Sequence, residues 1–384
     1  MTSSPEDVNP EEDVTSAGDL NPAEVLELVH RADHELQRTL SRMLAPRARR
    51  EGGEEHREQL RQLLAVASPH HVRDVMLHRM RMEKMYVGRG LSFMGSIVAK
   101  TEVGRLGGRL PGWPLSNKQR AYEFIDGLGV RRPATPGAPK PFEELGLTPG
   151  TVVKPARGSG SLGCYLIFSE DGIVHVKDGK QLSSRAEMDE HARRVLRDKS
   201  SATSASQDLW SVEELVMHDA AAHQPAIDLK FWTFYGKVAF VSEINRHPET
   251  RWDFWTPDGQ RIDPPGRWKA TRYEGVGITP EHIELVERIS LEIPYPFMRI
   301  DMLLGEDELV FGEFTPRPGS SNVLTPEWDR RMGEMWGLAE NRLQQDLLAG
   351  KEFSAYTAFM RSRRRRKKSR AKAQATKKAR QKTA

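Results

Sequence analysis

A single cysteine, Cys164, in 384 residues excludes an internal disulfide framework and a multi-cysteine zinc site. No uninterrupted apolar run approaches the roughly 20 residues that a membrane-spanning helix needs. Residues 1–20 hold no Lys or Arg and no apolar core, so both halves of a secretory signal are missing and the cytoplasm is the expected address. Aromatic residues are sparse at 7% and hydrophobic ones reach only 38%, yet a chain of 384 residues has room for two or three domains with cores of their own. Charge of one sign is absent from each end. Residues 1–20 carry six acids and no base, whereas residues 361–384 carry thirteen Lys/Arg and no acid. The whole chain is +4, which leaves the 340 residues between the tails at −3. The basicity therefore belongs to the tail, and a uniformly basic nucleic-acid-binding body is excluded.

The acidic, Pro/Ser-rich residues 1–20 cannot bury enough apolar surface to order themselves and read as a disordered tail. Asn21-Pro22-Ala23-Glu24 then has the form of a helix start. Val25, Val29, Leu36 and Leu40 follow at helical spacing up to Pro46. A second amphipathic stretch with Leu60, Leu63 and Leu64 lies beyond Gly52-Gly53. Ser68-Pro69 is read as the start of a third, which carries His70, His71 and His78, with no Cys or acid completing a metal-ligand spacing. Residues 21–115 thus form a helical N-terminal region. Ser116 is expected to cap a short helix over Ala121–Leu128, and Pro133–Pro141 is a linker within the connecting segment 116–150.

From Thr151 the pattern changes to short strands: TVVKPA, CYLIF, IVHV, WSVEELV, LKFWTFYG, KVAFVSEI, FMRIDMLL and ELVFGEF. Asp171-Gly172, Asp178-Gly179 and Tyr235-Gly236-Lys237 are turn signals between them. A last long helix opens at Thr325-Pro326-Glu327. Strands and helices mix without regular alternation, which makes the fold class α+β.

Two segments carry chemistry. In Val152-Val153-Lys154-Pro155-Ala156-Arg157-Gly158-Ser159-Gly160-Ser161-Leu162-Gly163, a strand delivers Lys154 to a Gly/Ser loop whose backbone N–H groups and hydroxyls can approach an anion. The Lys precedes the glycines, so this is neither a Walker A loop nor a Rossmann fingerprint; an ordinary hairpin turn has the same composition. In the second, Phe297-Met298-Arg299-Ile300-Asp301 runs to a turn at Gly305-Glu306-Asp307 and returns through Glu313 and Thr315. A hairpin symmetric about Glu306 sets Arg299 opposite Glu313 and Asp301 opposite Phe311, with Arg299, Asp301, Glu313 and Thr315 on one face. Two acids on an apolar hairpin are costly unless they pair with a base or hold a cation, and carboxylates so placed suit Mg²⁺.

Together the two segments resemble the ATP-grasp superfamily. Lys154-Pro155 and the Gly/Ser loop are similar to the lid strand and loop of D-alanine–D-alanine ligases. Arg299-x-Asp301 with Glu313-Phe314-Thr315-Pro316-Arg317-Pro318-Gly319-Ser320 is similar to their metal hairpin, with Thr315 where Asn is usual. Asp228-Leu229-Lys230-Phe231, Tyr235-Gly236-Lys237 and Phe311-Gly312-Glu313-Phe314-Thr315 resemble motifs of the teichuronopeptide-biosynthesis (TupA-like) ATP-grasp family, over about residues 115–340. The resemblance implies two α+β subdomains clasping ATP: a lid over 151–218 and a C-terminal subdomain with the metal hairpin over 219–350.

It also implies site roles. Lys118 and Lys154 would hold phosphates together with Gly158, Ser159, Gly160, Ser161 and Gly163. Glu213, Glu214 and Val216 match the adenine hinge, with the Val216 N–H as donor. Asp228 would take the ribose hydroxyls. Lys230, Arg246 and Arg251 are candidates for the γ-phosphate or a substrate carboxylate, and Asp301, Glu313 and Thr315 for Mg²⁺. Lys154 and Arg299 would act in catalysis. The implied activity is a carboxylate–amine ligase, ATP-dependent and ADP-releasing, acting through an acyl phosphate in cell-surface polymer or peptide-product assembly. A kinase acting on a hydroxyl fits the same motifs. The basic tail, 361–384, has no aromatic residue to stack a base, which limits it to nonspecific contact with nucleic acid or an anionic surface. A binding protein acting through that tail is the third reading. Cys164 reads as a small core residue.

Overall fold

The computed structural model describes residues 21–45, 48, 52–156, 161–197, 208–268, 271–319 and 323–363. The acidic tail over 1–20, the loop residues Gly158, Ser159 and Gly160, and the basic tail beyond Arg363 lie outside the described residues. The chain divides into two compact units, Met1–Gly95 and Ser96–Ala384. Among the described residues no helix is long and apolar enough to cross a membrane.

In the first unit, Asn21 accepts from the Ala23 N–H at 3.1 Å and starts helix α1 (Pro22–Met43). Helices α2 (Glu54–Val66) and α3 (Asp74–Met82) follow. Leu40, Leu44, Leu60, Leu64, Met76 and Met80 close a core between them. Ser68-Pro69 does not open α3, as the sequence suggested. It opens a 3₁₀ turn over Pro69–His71, because the His71 ring accepts the Ser68 N–H at 2.8 Å and closes the turn. His70 and His71 therefore lie off the helix, and both meet Asp33, at 2.9 and 2.7 Å. With Nδ1 accepting from Ser68 and Nε2–H donating to Asp33, His71 keeps no lone pair for a cation.

Helix α4 (Phe93–Arg105) spans the division and leads to a 3₁₀ turn at Trp113–Ser116 and helix α5 (Lys118–Asp126). The cap of α5 is Asn117, which accepts from the Arg120 N–H at 3.3 Å. The Ser116 hydroxyl, expected in that role, donates back to the Trp113 carbonyl at 2.8 Å.

Five antiparallel strands form the first sheet: β1 (Thr151–Pro155), β2 (Tyr165–Ile167), β3 (Ile173–His175), β4 (Lys180–Leu182) and β5 (Trp210–Glu214), in the order β4-β3-β2-β1-β5. Helix α6 (Arg185–Arg197) covers it, packing Met188 and Ala192 on Val153, Tyr165, Ile173 and Trp210. A short pair, β6 (Met217–Asp219) and β7 (Gln224–Pro225), leads to the second sheet. That sheet comprises β8 (Ile227–Thr233), β9 (Val238–Asn245), β10 (Arg251–Trp255), β11 (Thr271–Arg272), β12 (Met298–Leu304) and β13 (Leu309–Thr315), in the order β11-β10-β9-β8-β12-β13. Only the β10/β11 pair is parallel. Helices α7 (Pro280–Leu291) and α8 (Pro326–Leu348) follow, each opened by a Thr cap, and a further helix covers 354–363.

Alternation positions the chemistry. On β8 and β12 the residues Leu229, Phe231, Ile300 and Met302 are wholly buried, while Asp228, Lys230, Arg299 and Asp301 share the opposite face. The β12/β13 register differs from the symmetric hairpin: Asp301 lies opposite Glu313 and Arg299 opposite Thr315, with a bulge next to Asp301. Gly312 is the extra residue. A Cβ there would stand 3.0 Å from the Asp301 carbonyl oxygen, so glycine lets the strand bow inward. The bulge turns Phe311 to the core beside Met302 and keeps the four polar residues on one face.

Glu243 and Asp253, side by side across β9 and β10, are fully buried acids with full sets of donors. Glu243 accepts from Trp255 Nε1 at 2.8 Å, from the Val276 and Gly277 N–H groups at 2.9 and 3.0 Å, and from the Tyr273 hydroxyl. Asp253 accepts from Arg272 at 2.9 Å and the Gly275 N–H at 3.1 Å. The segment 271–277 is thereby tied to the sheet. A Cβ on Gly275 would stand 2.5 Å from an oxygen of the Glu243 carboxylate, which four donors hold in place. Gly275→Ala is expected to cost about 1–3 kcal/mol, read from the midpoint of urea unfolding. An unchanged midpoint would show that the carboxylate moves aside freely.

Candidate functional site

Lys154 leaves β1 on the face away from the core, because its neighbour Val153 is wholly buried. Glu213, diagonal to it on β5, shares that face. The Glu213 Oε2 accepts from Lys154 at 2.6 Å, from Lys118 at 2.9 Å and from the Tyr122 hydroxyl at 3.2 Å. Two ammonium groups thus converge on one carboxylate that is 4% exposed. Burial would raise the Glu213 pKa, but Lys154 and Lys118 hold it down to about 2. Burial also opposes the Lys118 charge, and Glu213, with a smaller pull from Glu313, still leaves its pKa raised. With two cations to one anion, the cluster retains a positive charge. Tyr122 is a member that sequence reasoning missed; its spacing of four from Lys118 on α5 was the available signal.

A second cluster lies on the polar face of the other sheet. Arg299 donates to both Asp301 oxygens at 2.7 Å and to the Thr315 hydroxyl at 3.1 Å, and its guanidinium stands 3.8 Å from Glu313. Lys230 bridges Asp301 at 2.7 Å and Asp228 at 2.8 Å, and Arg246 reaches Asp228 at 2.9 Å. Against burial, Arg299 and Lys230 hold the Asp301 carboxyl well below the usual range. Glu313 differs. Its side chain remains 56% exposed, yet crowding by surrounding protein and the charge of Asp301 push its pKa up. An exposed carboxylate whose charge is disfavoured, directly across the strand pair from a second carboxylate, fits a hard cation with oxygen ligands. Helix α5, which carries Lys118, packs on β13, which carries Glu313, so the clusters of the two sheets address one region.

Among the described residues no group accepts from the Val216 N–H, while its carbonyl accepts from Ala226 at 2.9 Å. The Glu214 side chain holds the linker, through Arg131 at 2.7 Å and the Ala134 N–H at 2.9 Å. Ser161 has a positive φ of 60°, and the Gly163 N–H donates to His175 Nε2 on β3 at 3.2 Å. His175 in turn meets Asp178 at 2.7 Å, and this support of the loop was not foreseen. Arg251 pairs with the exposed Glu249 and does not join the cluster. Cys164 lies within the fields of Lys154, Lys118, Glu213 and Arg246, and burial leads the rise in its thiol pKa.

The two sheets, with a lysine strand and glycine loop on one and a carboxylate hairpin on the other, define an ATP-grasp fold. A family model described as TupA-like ATP-grasp matches residues 100–336, and the chain belongs to that family. No curated protein matches. Among solved structures, the D-alanine–D-alanine ligase of Bacillus anthracis complexed with ATP is similar at 16% identity and a TM-score of 0.36, over 65% of this chain and 75% of that one. The ATP-grasp ligase PsnB complexed with minimal precursor is similar at 14% identity and a TM-score of 0.31, over 62% of this chain and 66% of that one. Macrocyclase MdnC bound with precursor peptide MdnA, from Microcystis aeruginosa, is similar at 13% identity and a TM-score of 0.33, over 61% and 63%. The family assignment rests on the family model.

Because the folded pKa of Glu213 lies below the ordinary 4.5, its ion pairs contribute stability above that pH and lose it as pH falls toward about 2. Glu213→Gln should therefore remove on the order of 3 kcal/mol near neutrality, the difference from wild type shrinking as the solution is acidified. Urea unfolding from about pH 6 down to about pH 3 measures it. A difference independent of pH would contradict the assignment of charge.

Proposed function

We propose that the protein is an ATP-dependent carboxylate–amine ligase that releases ADP and forms an amide. The observation that carries this reading is the meeting of two charge clusters: a net-positive one built on Glu213 and a carboxylate hairpin whose Glu313 acts on Lys118. Lys118 and Lys154 would bind the phosphates of the nucleotide, exchanging part of their hold on Glu213 for phosphate oxygens. The Val216 N–H would meet the adenine edge, and Asp228 the ribose hydroxyls. Ser161 and Gly163, with Gly158, Ser159 and Gly160, would close over the phosphates.

Asp301, Glu313 and Thr315 would hold magnesium, which supplies charge neutralisation at the phosphates when bound. Arg299 positions Asp301 by two hydrogen bonds and presents a guanidinium to the transferring group. A substrate carboxylate oxygen attacks the γ-phosphorus, ADP leaves, and an amine then displaces phosphate from the acyl phosphate. The chemistry asks for positioning and charge neutralisation, and no enzyme nucleophile takes part. Exclusion of water by the loop protects the acyl phosphate from hydrolysis. The substrates would be small-molecule carboxylates and amines, in cell-surface polymer or peptide-product assembly.

Lys154→Ala and Glu313→Gln are each expected to lower ADP release by about a hundredfold or more with the circular dichroism spectrum unchanged. Hydroxylamine should trap the activated carboxylate as a hydroxamate. Full turnover by either variant would refute the assignment. A stable phosphate ester without hydroxamate would replace the ligase by a kinase.

A further inference from the structure

A cavity of about 1000 Å³ is lined by none of the candidate site residues, and the proposed function makes no use of it. Its walls come from the Gly/Pro-rich stretch after α4, from α5, and from the helix over 354–363. Each wall brings guanidinium: Arg109, Arg120, and the pair Arg361 and Arg363. No Asp or Glu lines the cavity, and among the described residues Arg109, Arg361 and Arg363 join no ion pair. The three guanidinium groups of Arg109, Arg361 and Arg363 around one space repel each other, a cost that an anion seated between them removes. The planar forks suit carboxylate or phosphate oxygens, and the rings of Trp113 and Tyr356 offer an apolar surface for the body that carries them.

The cavity is held open by specific contacts. The Tyr356 hydroxyl donates to the Pro111 carbonyl at 2.9 Å, and Tyr356 and Phe359 pack edge-on against Phe124 of α5. Gly112 lies so close to the Tyr295 ring that a Cβ would stand 2.6 Å from it, which fixes the Gly/Pro-rich wall against the start of β12. The turn Trp113–Ser116 packs on β13, the strand of Glu313 and Thr315, and Arg317 just beyond that strand stacks over the Trp113 ring at 5.4 Å.

We propose that this cavity binds a small ligand bearing two or more oxyanion groups, carboxylate or phosphate, on an apolar or aromatic body. The inference stands on the arginines and the cavity and does not depend on the nucleotide reading. The test is calorimetric titration of the full chain, without nucleotide, using isophthalate for the carboxylate source and phenyl phosphate for the phosphate source. At least one should bind with one-to-one stoichiometry, and the arm that saturates at lower concentration names the group. Arg109→Gln with Arg361→Gln should weaken that binding about tenfold or more, since hydrogen bonds to charged groups are lost. Both side chains are exposed, and an unchanged unfolding midpoint confirms that the variant is folded. Lys154→Ala should leave the binding intact. Absence of saturable binding in both arms would overturn the proposal. So would binding that survives in the arginine variant, which attraction to the basic tail would produce, or binding lost only in Lys154→Ala, which would place the anion at the nucleotide site.

Discussion

Lys118 and Lys154 come from a helix and a strand far apart in the chain, and two ammonium groups at close range repel unless an anion lies between them. Glu213 is that anion. Its Oε2 takes both at 2.9 and 2.6 Å, and Tyr122 adds a third donor. The rest of the site depends on this contact. It fixes α5 against the first sheet, aims both lysines at one place and leaves them one positive charge in excess. Leaving Glu213 without both lysines would strand a buried charge at a cost of several kcal/mol.

The second sheet answers with a different arrangement. Three cations, Lys230, Arg246 and Arg299, balance Asp228, Asp301 and Glu313, but the pairing is uneven. Asp301 is saturated by two partners at 2.7 Å, whereas among the described residues Glu313 pairs with a guanidinium at 3.8 Å alone. The strand pair therefore offers one firmly ionised carboxylate and one whose charge is disfavoured. A positive cluster facing such a hairpin is suited to a polyanion bound together with a divalent cation, and membership of an ATP-grasp family accords with that. The arginine-lined cavity beyond Trp113 extends the same electrostatic logic to a second anion.

Much of this was legible in the sequence because it depends on local rules. Strands β1 and β8 alternate over most of their length, and Gly236, with φ of 83°, sits in the turn that a glycine there announces. Lys154 and the Arg299–Thr315 segment stood out because charges on apolar strands need a reason. Helix α6 was missed since its core face amounts to Met188, Ala192 and Val195 amid charged residues, too thin a stripe to register. The hairpin register was missed because it turns on a bulge at Gly312, set by backbone packing against Asp301. Pairings across long sequence separations leave no periodic trace. Glu213, Lys118 and Lys154 were each singled out in the sequence, while their meeting on one carboxylate is visible only in three dimensions.

The central claim is that these two clusters bind one magnesium nucleotide. Thermal unfolding of the full chain with and without Mg-ATP tests it most directly, with Glu313→Gln alongside and ATP without the metal as control. A ligand at about a hundred times its dissociation constant stabilises the native state by about 2.7 kcal/mol, so the account predicts a clear rise in Tm that needs Mg²⁺ and is weakened in the variant. A Tm unmoved by saturating Mg-ATP would contradict it.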